Sequence, residues 1–412
     1  MTVPKLRFKE FGGGWTEVTL ENLAEVERGK FSIRPRNDPR YFGGAMPFVQ
    51  TGDVTGSDIY LRGYSQTLND DGIRVSKVFP ADTILITIAA NIGDTTITQY
   101  PIACPDSVVA IQPKKNVSNT IFLKNIIDLQ KDYLDSQATQ NAQKNINLQV
   151  LKPLELIVPN LEEQTKIASF LSAVDEKISQ LNQKHRLLCD YKQGMMQKLF
   201  SQQLRFKADD GSEFGEWEET TLKNCITSID SGWSPQCESY STNLNEWGVL
   251  KTTSVDWNGF NAYFNKKLPD KLTPRPELEV QPLDILVTRA GPTDRVGVVA
   301  VVPEEVRSKL MISDKLIRLK ANEKSNPIFL GISLSLVKCQ NQLQSKTSGL
   351  AKSQTNISQK ILNDVLLTLP SKEEQTKIAN FLSAINQKIE VVAEQIEQAK
   401  VWKKGLLQQM FV

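Results

Sequence analysis

Glu162–Ile178 reads EEQTKIASFLSAVDEKI, and Glu373–Ile389 reads EEQTKIANFLSAINQKI. Thirteen of the seventeen positions are identical at a constant offset of 211 residues. Internal repeats have to be settled first, because they decide what counts as a structural unit. At the same offset Asn145-Ile146 matches Asn356-Ile357, Pro159 matches Pro370, Gly194 matches Gly405 and Phe200 matches Phe411. Earlier in each half, Arg7-Phe8-Lys9 resembles Arg205-Phe206-Lys207, and Trp15 with Thr19-Leu20 resembles Trp217 with Thr221-Leu222. FPADTILIT (Phe79–Thr87) resembles QPLDILVT (Gln281–Thr288). Each half therefore runs in one order: a short lead-in, a variable block and a shared segment.

The shared segment has the spacing of a helix. Ile167, Leu171, Val174, Ile178, Leu181, His185, Leu188, Lys192, Met195 and Leu199 step alternately by four and three residues. So do Ile378, Leu382, Ile385, Ile389, Val392, Ile396, Ala399, Lys403, Leu406 and Met410. A period of about 3.5 residues held this long marks a coiled-coil seam rather than an ordinary amphipathic helix. Pro159 and Pro370 precede the helices, and Glu162-Glu163 and Glu373-Glu374 occupy first turns, where negative charge suits the helix dipole. Two equal stripes in one chain can bury each other, and an antiparallel pair with pseudo-two-fold symmetry is expected. His185 and Lys192, polar residues on the seam, read as register-fixing groups rather than ligands.

The variable blocks read as α+β. Thr83–Ile88, Val108–Ile111, Asp284–Thr288 and Val298–Val302 are β-branched runs bounded by turn residues, while Ile121–Leu134 and Ile328–Leu343 have helical spacing. The expected organisation is two mixed α/β modules, 1–158 and 204–369, and two long helical segments, 159–203 and 370–412. The chain of 412 residues is 40% hydrophobic and 23% charged, with a formal charge of +2, so any basic surface must be local. The start, MTVPKLRFKE, lacks a signal-peptide core, and no apolar run approaches a membrane span. A cytoplasmic protein with five reduced cysteines and no membrane partner is expected.

Catalytic groups are scarce. The single histidine, His185, lies mid-seam, which argues against Ser-His-Asp, Cys-His and most zinc chemistry. No C-x-x-C pair and no phosphate-binding P-loop occurs. Asn326-Pro327-Ile328-Phe329 lacks the second proline of the Asn-Pro-Pro-Phe motif of amino-methyltransferases. Pro105-Asp106 and Pro269-Asp270 read as turns rather than as openings of a nuclease metal site. No catalytic residue and no metal ligand is assigned.

What the blocks offer is polar, locally basic loops suited to DNA. In the first, Lys30, Ser32, Arg34 and Arg36 surround Gly29 and Pro35; Arg and Lys neutralise phosphates, and Arg can grip a guanine edge with two hydrogen bonds. The matching place in the second holds Trp233, Ser234 and Gln236 around Gly232 and Pro235. Next come Gln50, Thr51 and Asp53 in one half and Lys251, Thr252 and Ser254 in the other. Lys144 and Asn145 correspond to Lys352, Gln354 and Asn356. Asn91 in the first block, and Arg289, Thr293 and Arg295 in the second, follow the matching strands. Gln and Asn can read adenine edges, and Ser and Thr suit phosphate. The recurrence of such residues at equivalent places carries more weight than any one of them.

This layout resembles the specificity subunits of type I restriction-modification systems along the whole chain. The resemblance rests on the doubled Glu-Glu-Gln-x-Lys-Ile-Ala helix, on the aromatic lead-ins at Phe11/Trp15 and Phe214/Trp217, and on the strands led by Asp82 and Asp284. It implies two target recognition domains, each reading half of an asymmetric bipartite sequence in double-stranded DNA, with antiparallel helices as a spacer that docks two methyltransferase subunits. It also implies that S-adenosylmethionine, ATP and Mg belong to partner subunits, the restriction and motor subunits among them, and that this chain binds no cofactor. The alternative is a non-catalytic protein-binding scaffold with two modules on a coiled coil, which explains the repeats but not the paired Lys, Gln and Asn loops.

Overall fold

The computed structural model describes residues 3–33, 35–138, 144–351 and 354–411. By internal contacts the chain forms two units, Met1–His185 with Val391–Val412, and Arg186–Glu390. Four helices organise them: α1 (Thr120–Asp128), α2 (Leu161–Phe200), α3 (Pro327–Ser335) and α4 (Lys372–Met410). The division falls inside α2 and α4, so each unit takes the beginning of one long helix and the end of the other. The long helices have 40 and 39 residues, or about 60 Å each.

The first unit is built on an antiparallel sheet of β1 (Ala24–Arg28), β2 (Ile84–Thr87), β3 (Thr95–Ile97) and β4 (Val108–Pro113), in the order β1-β4-β2-β3. β2 is buried on both faces, so its residues are all apolar or Thr. Alternation sends Ile84 and Ile86 one way and Leu85 the other. Ile84, Ile86, Val109 and Ile111 join Phe122 and Ile126 of α1, Ile167 and Leu171 of α2, and Leu406 and Met410 of α4. The start of α2 and the end of α4 thus share one core, which sets them antiparallel there. Leu85, Val108 and Ala110 meet Phe79 and Ile102 of a second, four-stranded sheet and Val49 just after another of its strands.

The second unit repeats the plan with β5 (Ile226–Ser231), β6 (Ile285–Thr288), β7 (Val299–Val301) and β8 (Leu316–Ala321), in the order β5-β8-β6-β7. Ile285 and Val287 face α3, the end of α2 and the start of α4, and Leu286 faces the opposite cluster. In each unit the lead-in strand pairs with the last strand of the block, Thr16–Thr19 with Glu155–Val158 and Glu218–Thr221 with Leu366–Leu369.

The repeated Glu-Glu-Gln has a buried function that a dipole argument misses. Glu163 is fully buried and takes Nε and an Nη of Arg7 on its two oxygens, each at 2.7 Å. Glu374 takes Arg205 in the same way, at 3.1 and 2.7 Å. The next residue, Gln164, accepts the Asn119 N–H at 3.0 Å and donates to the Pro159 carbonyl at 3.0 Å. Gln375 does the same with Asn326 and Pro370, at 2.9 Å each. Asn119 and Asn326 cap α1 and α3. Asn326-Pro327-Ile328-Phe329 is therefore a helix start.

The seam residues of both long helices are buried or half-buried from end to end. Lys403 pairs with Asp175 at 2.6 Å. Burial pushes the Lys192 amine down, while Cys189 and Glu390 nearby oppose the shift. The segments expected as single helices from Ile121 and Ile328 each break in two, after Asp128 and Ser335. The breaks let Leu134 and Leu343 turn into the cores already holding Phe122 and Phe329. The strand motifs align one residue differently from the sequence reading. With Ile84 matched to Ile285, Asp82 corresponds to Leu283, both at positive φ (62° and 65°), and Asp284 corresponds to Thr83.

Phe411 closes the first unit, stacked on Phe122 at 5.2 Å and edge-on to Trp15 at 6.4 Å. Phe200 does so in the second, stacked on Phe329 at 5.3 Å and edge-on to Trp217 at 6.1 Å. Phe411→Ala should destabilise the first unit by about 3–5 kcal/mol, which urea denaturation would measure.

Candidate nucleic-acid interface

In each unit the loops at one end of the main sheet are drawn together by backbone hydrogen bonds. In the first, Gly29 N–H donates to the Val108 carbonyl at 2.9 Å, Ile88 N–H to Ser107 at 3.2 Å and Ile146 N–H to Ile88 at 3.0 Å. Ala89 bridges Asn145. In the second, Gly232 N–H reaches the Ser313 carbonyl at 3.2 Å, Arg289 N–H reaches Lys315 at 2.8 Å and Ile357 N–H reaches Arg289 at 2.9 Å. Ala290 pairs with Asn356. A Cβ on Gly29 would lie 2.3 Å from the Pro105 carbonyl oxygen, and one on Gly232 would lie 1.8 Å from that of Ile312. Only glycine permits either approach.

The threonine ending each central strand closes the loop that follows. The Thr87 hydroxyl donates to the Asn91 carbonyl, and Thr288 donates to Arg295 at 2.5 Å. At the loop apices Ala90 has φ of 65° and Gly291 has φ of 154°.

These clusters gather many of the residues singled out in the sequence. In the first unit Lys30 and Ser32 are exposed, Asn91 is exposed beside its loop closure, and Asn145 is exposed at the Ala89 bridge. One Nη of Arg36 contacts both Asp106 oxygens at 2.8 and 3.0 Å, and Lys144 pairs with Asp135 at 2.8 Å. In the second unit Arg289 is exposed and reaches the Asp314 carbonyl at 3.5 Å, Ser234 bonds the Asp314 carboxylate, and Asn356 is exposed. Gln354 lies on the strand beside Gly291, Thr293 is half-buried in the loop after it, and Gln236 is exposed. Arg34 and Lys352 lie outside the described residues.

Other candidates serve the fold locally. Gln50 and Asp53 form a capping box on the short helix that begins at Thr51; Gln50 also donates to Gln66 at 2.8 Å, and Ser65 donates to Asp53 at 3.0 Å. Ser254 is buried, its hydroxyl on the Lys251 carbonyl at 2.7 Å, in the turn carrying half-buried Lys251 and Thr252. Trp233 is half-buried in a small cluster with Val249 and Met311, under the Arg275 guanidinium at 4.1 Å. Arg295 pairs with Asp256 at 2.6 Å and holds that carboxyl below the ordinary range. Asp106 and Asp314, which orient Arg36, Arg289 and Ser234, carry no mark in the sequence as site residues. The short loops CPDS and ISDK carry almost no shared pattern to reveal them.

Among the described residues, nothing in the clusters resembles a reaction centre. None of the five cysteines is held in a disulfide, and burial pushes the Cys104 thiol beside Gly29 up to about 12. Among the described residues no group of His, Cys, Asp and Glu could hold a metal ion, and no helix is long and apolar enough to cross a membrane. Exposed cations and amides on closed loops can contact phosphates and base edges.

Residues 12–188 and 261–401 match the family described as type I restriction modification DNA specificity domain, and the chain belongs to that family. Over 164 residues, or 39% of this chain and 27% of the relative, it is 43% identical to the type I restriction enzyme EcoEI specificity subunit of Escherichia coli. It is 29% identical to the MjaX specificity subunit of Methanocaldococcus jannaschii, over 98% of this chain and 94% of that protein. In fold it is similar to the crystal structure of a type I restriction-modification S subunit from M. genitalium, with a TM-score of 0.63, 16% identity, and coverage of 100% and 99%. Target recognition in DNA is the role of this family, and specificity subunits are non-catalytic members of systems whose catalytic activities lie in other subunits.

Ala90 in the left-handed region carries a steric cost of about 1–2 kcal/mol that glycine avoids. Ala90→Gly should stabilise the first unit by about 1 kcal/mol, read as a higher urea midpoint at unchanged slope.

Proposed function

We propose that residues 1–158 and 204–369 each read one half of an asymmetric bipartite sequence in double-stranded DNA. The observation that carries this reading is the recurrence of one loop cluster on one sheet plan, with unlike side chains: Lys30, Ser32 and Asn91 in one unit, and Ser234, Arg289 and Thr293 in the other. A shared frame with different tips is what two readers of different sequences require.

In this reading, segments 159–203 and 370–412 form an antiparallel coiled-coil spacer with pseudo-two-fold symmetry. Half-sites one turn apart lie about 34–36 Å from each other, and a helix of about 60 Å is long enough to serve as the ruler. Its two equivalent faces dock two methyltransferase subunits, and restriction subunits join that core. S-adenosylmethionine, ATP and Mg are held by those partners in the cytoplasm, and this chain supplies selection alone.

Replacing residues 16–158 with those of a relative should change one half of the methylated sequence and leave the other intact. Genome-wide mapping of methylated adenines reads the outcome, and a change in both halves or in neither defeats the modular reading. Lys30→Ala should weaken binding to every sequence about equally and reduce the slope of log affinity against log salt by about one. Titration of the assembled complex at several salt concentrations tests this; an unchanged slope removes Lys30 from the phosphate contacts.

A further inference from the structure

The second unit carries a hairpin arm between residues 248 and 267. At its base Gly248–Leu250 pairs with Asn265–Lys267. It narrows through Lys251 N–H to the Phe264 carbonyl at 2.9 Å and Asn261 N–H to Ser254 at 2.8 Å. It ends where Val255–Asp256 pairs with Gly259–Phe260, leaving Trp257 and Asn258 as the turn. Gly259 has φ of 124°, which a side chain would strain. Trp257 at the tip is 50% exposed, and Tyr263 on the shaft is 80% exposed.

The tip is aimed rather than loose. One Nη of Arg295 donates to the Asp256 carboxylate at 2.6 Å, and the other donates to the Val255 carbonyl at 2.9 Å. The guanidinium thus grips both strand residues before Trp257. Arg295 in turn closes the loop begun by Arg289, through its carbonyl on the Thr288 hydroxyl. The tip therefore stands beside the loop cluster of this unit. The first unit differs here: after Phe42–Phe48 its chain turns into the capped helix Thr51–Thr55. The tip also lies outside the two stretches matching the family model.

A two-residue turn offers far less than the roughly 1,000 Å² that a stable protein interface buries. One aromatic ring is enough to enter a base step, as apolar wedges do when they unstack and kink a duplex. We propose that Trp257 is a DNA wedge whose indole inserts at a base step bordering the second half of the target, with Arg295 as the residue that positions it. This rests on the assignment of residues 204–369 as a DNA reader. The wedge would favour flexible pyrimidine–purine steps, adding selectivity at a place where no base edge is hydrogen-bonded.

The test uses the full chain assembled with its methyltransferase partners, on target duplexes with 2-aminopurine replacing adenines one at a time. The native complex should brighten the probe at one position beside the second half-site. Trp257→Ala should abolish that signal and weaken binding about tenfold, with an unchanged circular dichroism spectrum because the side chain stands at the surface. Trp257→Phe should restore part of the signal, and Arg295→Ala should diminish it. Selective binding with no brightening at any position, or a signal that survives Trp257→Ala, overturns the wedge alone. Absence of any sequence-selective binding by the native complex overturns the DNA-reading assignment along with it.

Discussion

The structure depends on how each long helix is fastened at its start. A buried glutamate, Glu163 or Glu374, meets the lead-in arginine through two hydrogen bonds. The adjacent glutamine ties the same turn to the cap of α1 or α3. A carboxylate removed from water needs both its charge and its lone pairs answered, and the fork of a guanidinium does this in one geometry. Direction, rotation and depth of the helix on its module are all set within one turn. That explains why the repeat is most faithful there and why each lead-in carries Arg-Phe-Lys.

From that fixed start the frame is conservative and its tips are free. Both main sheets share one strand order, both central strands end in a loop-closing threonine, and both first strands run into a glycine that cannot be replaced. Around these constants the loops vary in charge, length and shape. The first unit shows Lys30 and an Arg36 leaning on Asp106, whereas the second shows Arg289 beside Asp314 and carries a hairpin ending in Trp257. Variation confined to closed, surface-facing loops changes what is touched without disturbing what is folded.

The sequence made the long helices legible because twenty seam positions report one period, and the central strands legible because burial on both faces leaves only apolar residues and threonine. The candidate site was less legible. Lys30, Arg289, Asn145 and Asn356 do stand in the loop clusters. Asp53 and Ser254 instead satisfy backbone in local turns, a use of polar residues that composition cannot separate from ligand contact. The partners of Arg36 and Arg295 are 70 and 39 residues away in the chain. No local pattern encodes such pairs. The one-residue shift that sets Asp82 against Leu283 shows the same limit: the two aspartates look equivalent by residue type, whereas backbone conformation decides the match.

The Leu6 N–H donates to the Gln409 carbonyl at 2.8 Å, and the first unit is completed only by residues 391–412. The other unit is one uninterrupted stretch. On a ribosome adding about 5–20 residues per second, the first unit waits some tens of seconds for its last helix while the later stretch is made. Residues 1–185 are therefore made before the second unit and completed after it. Until residues 391–412 are made, Trp15 and Phe122 lack the Phe411 ring that packs on both of them.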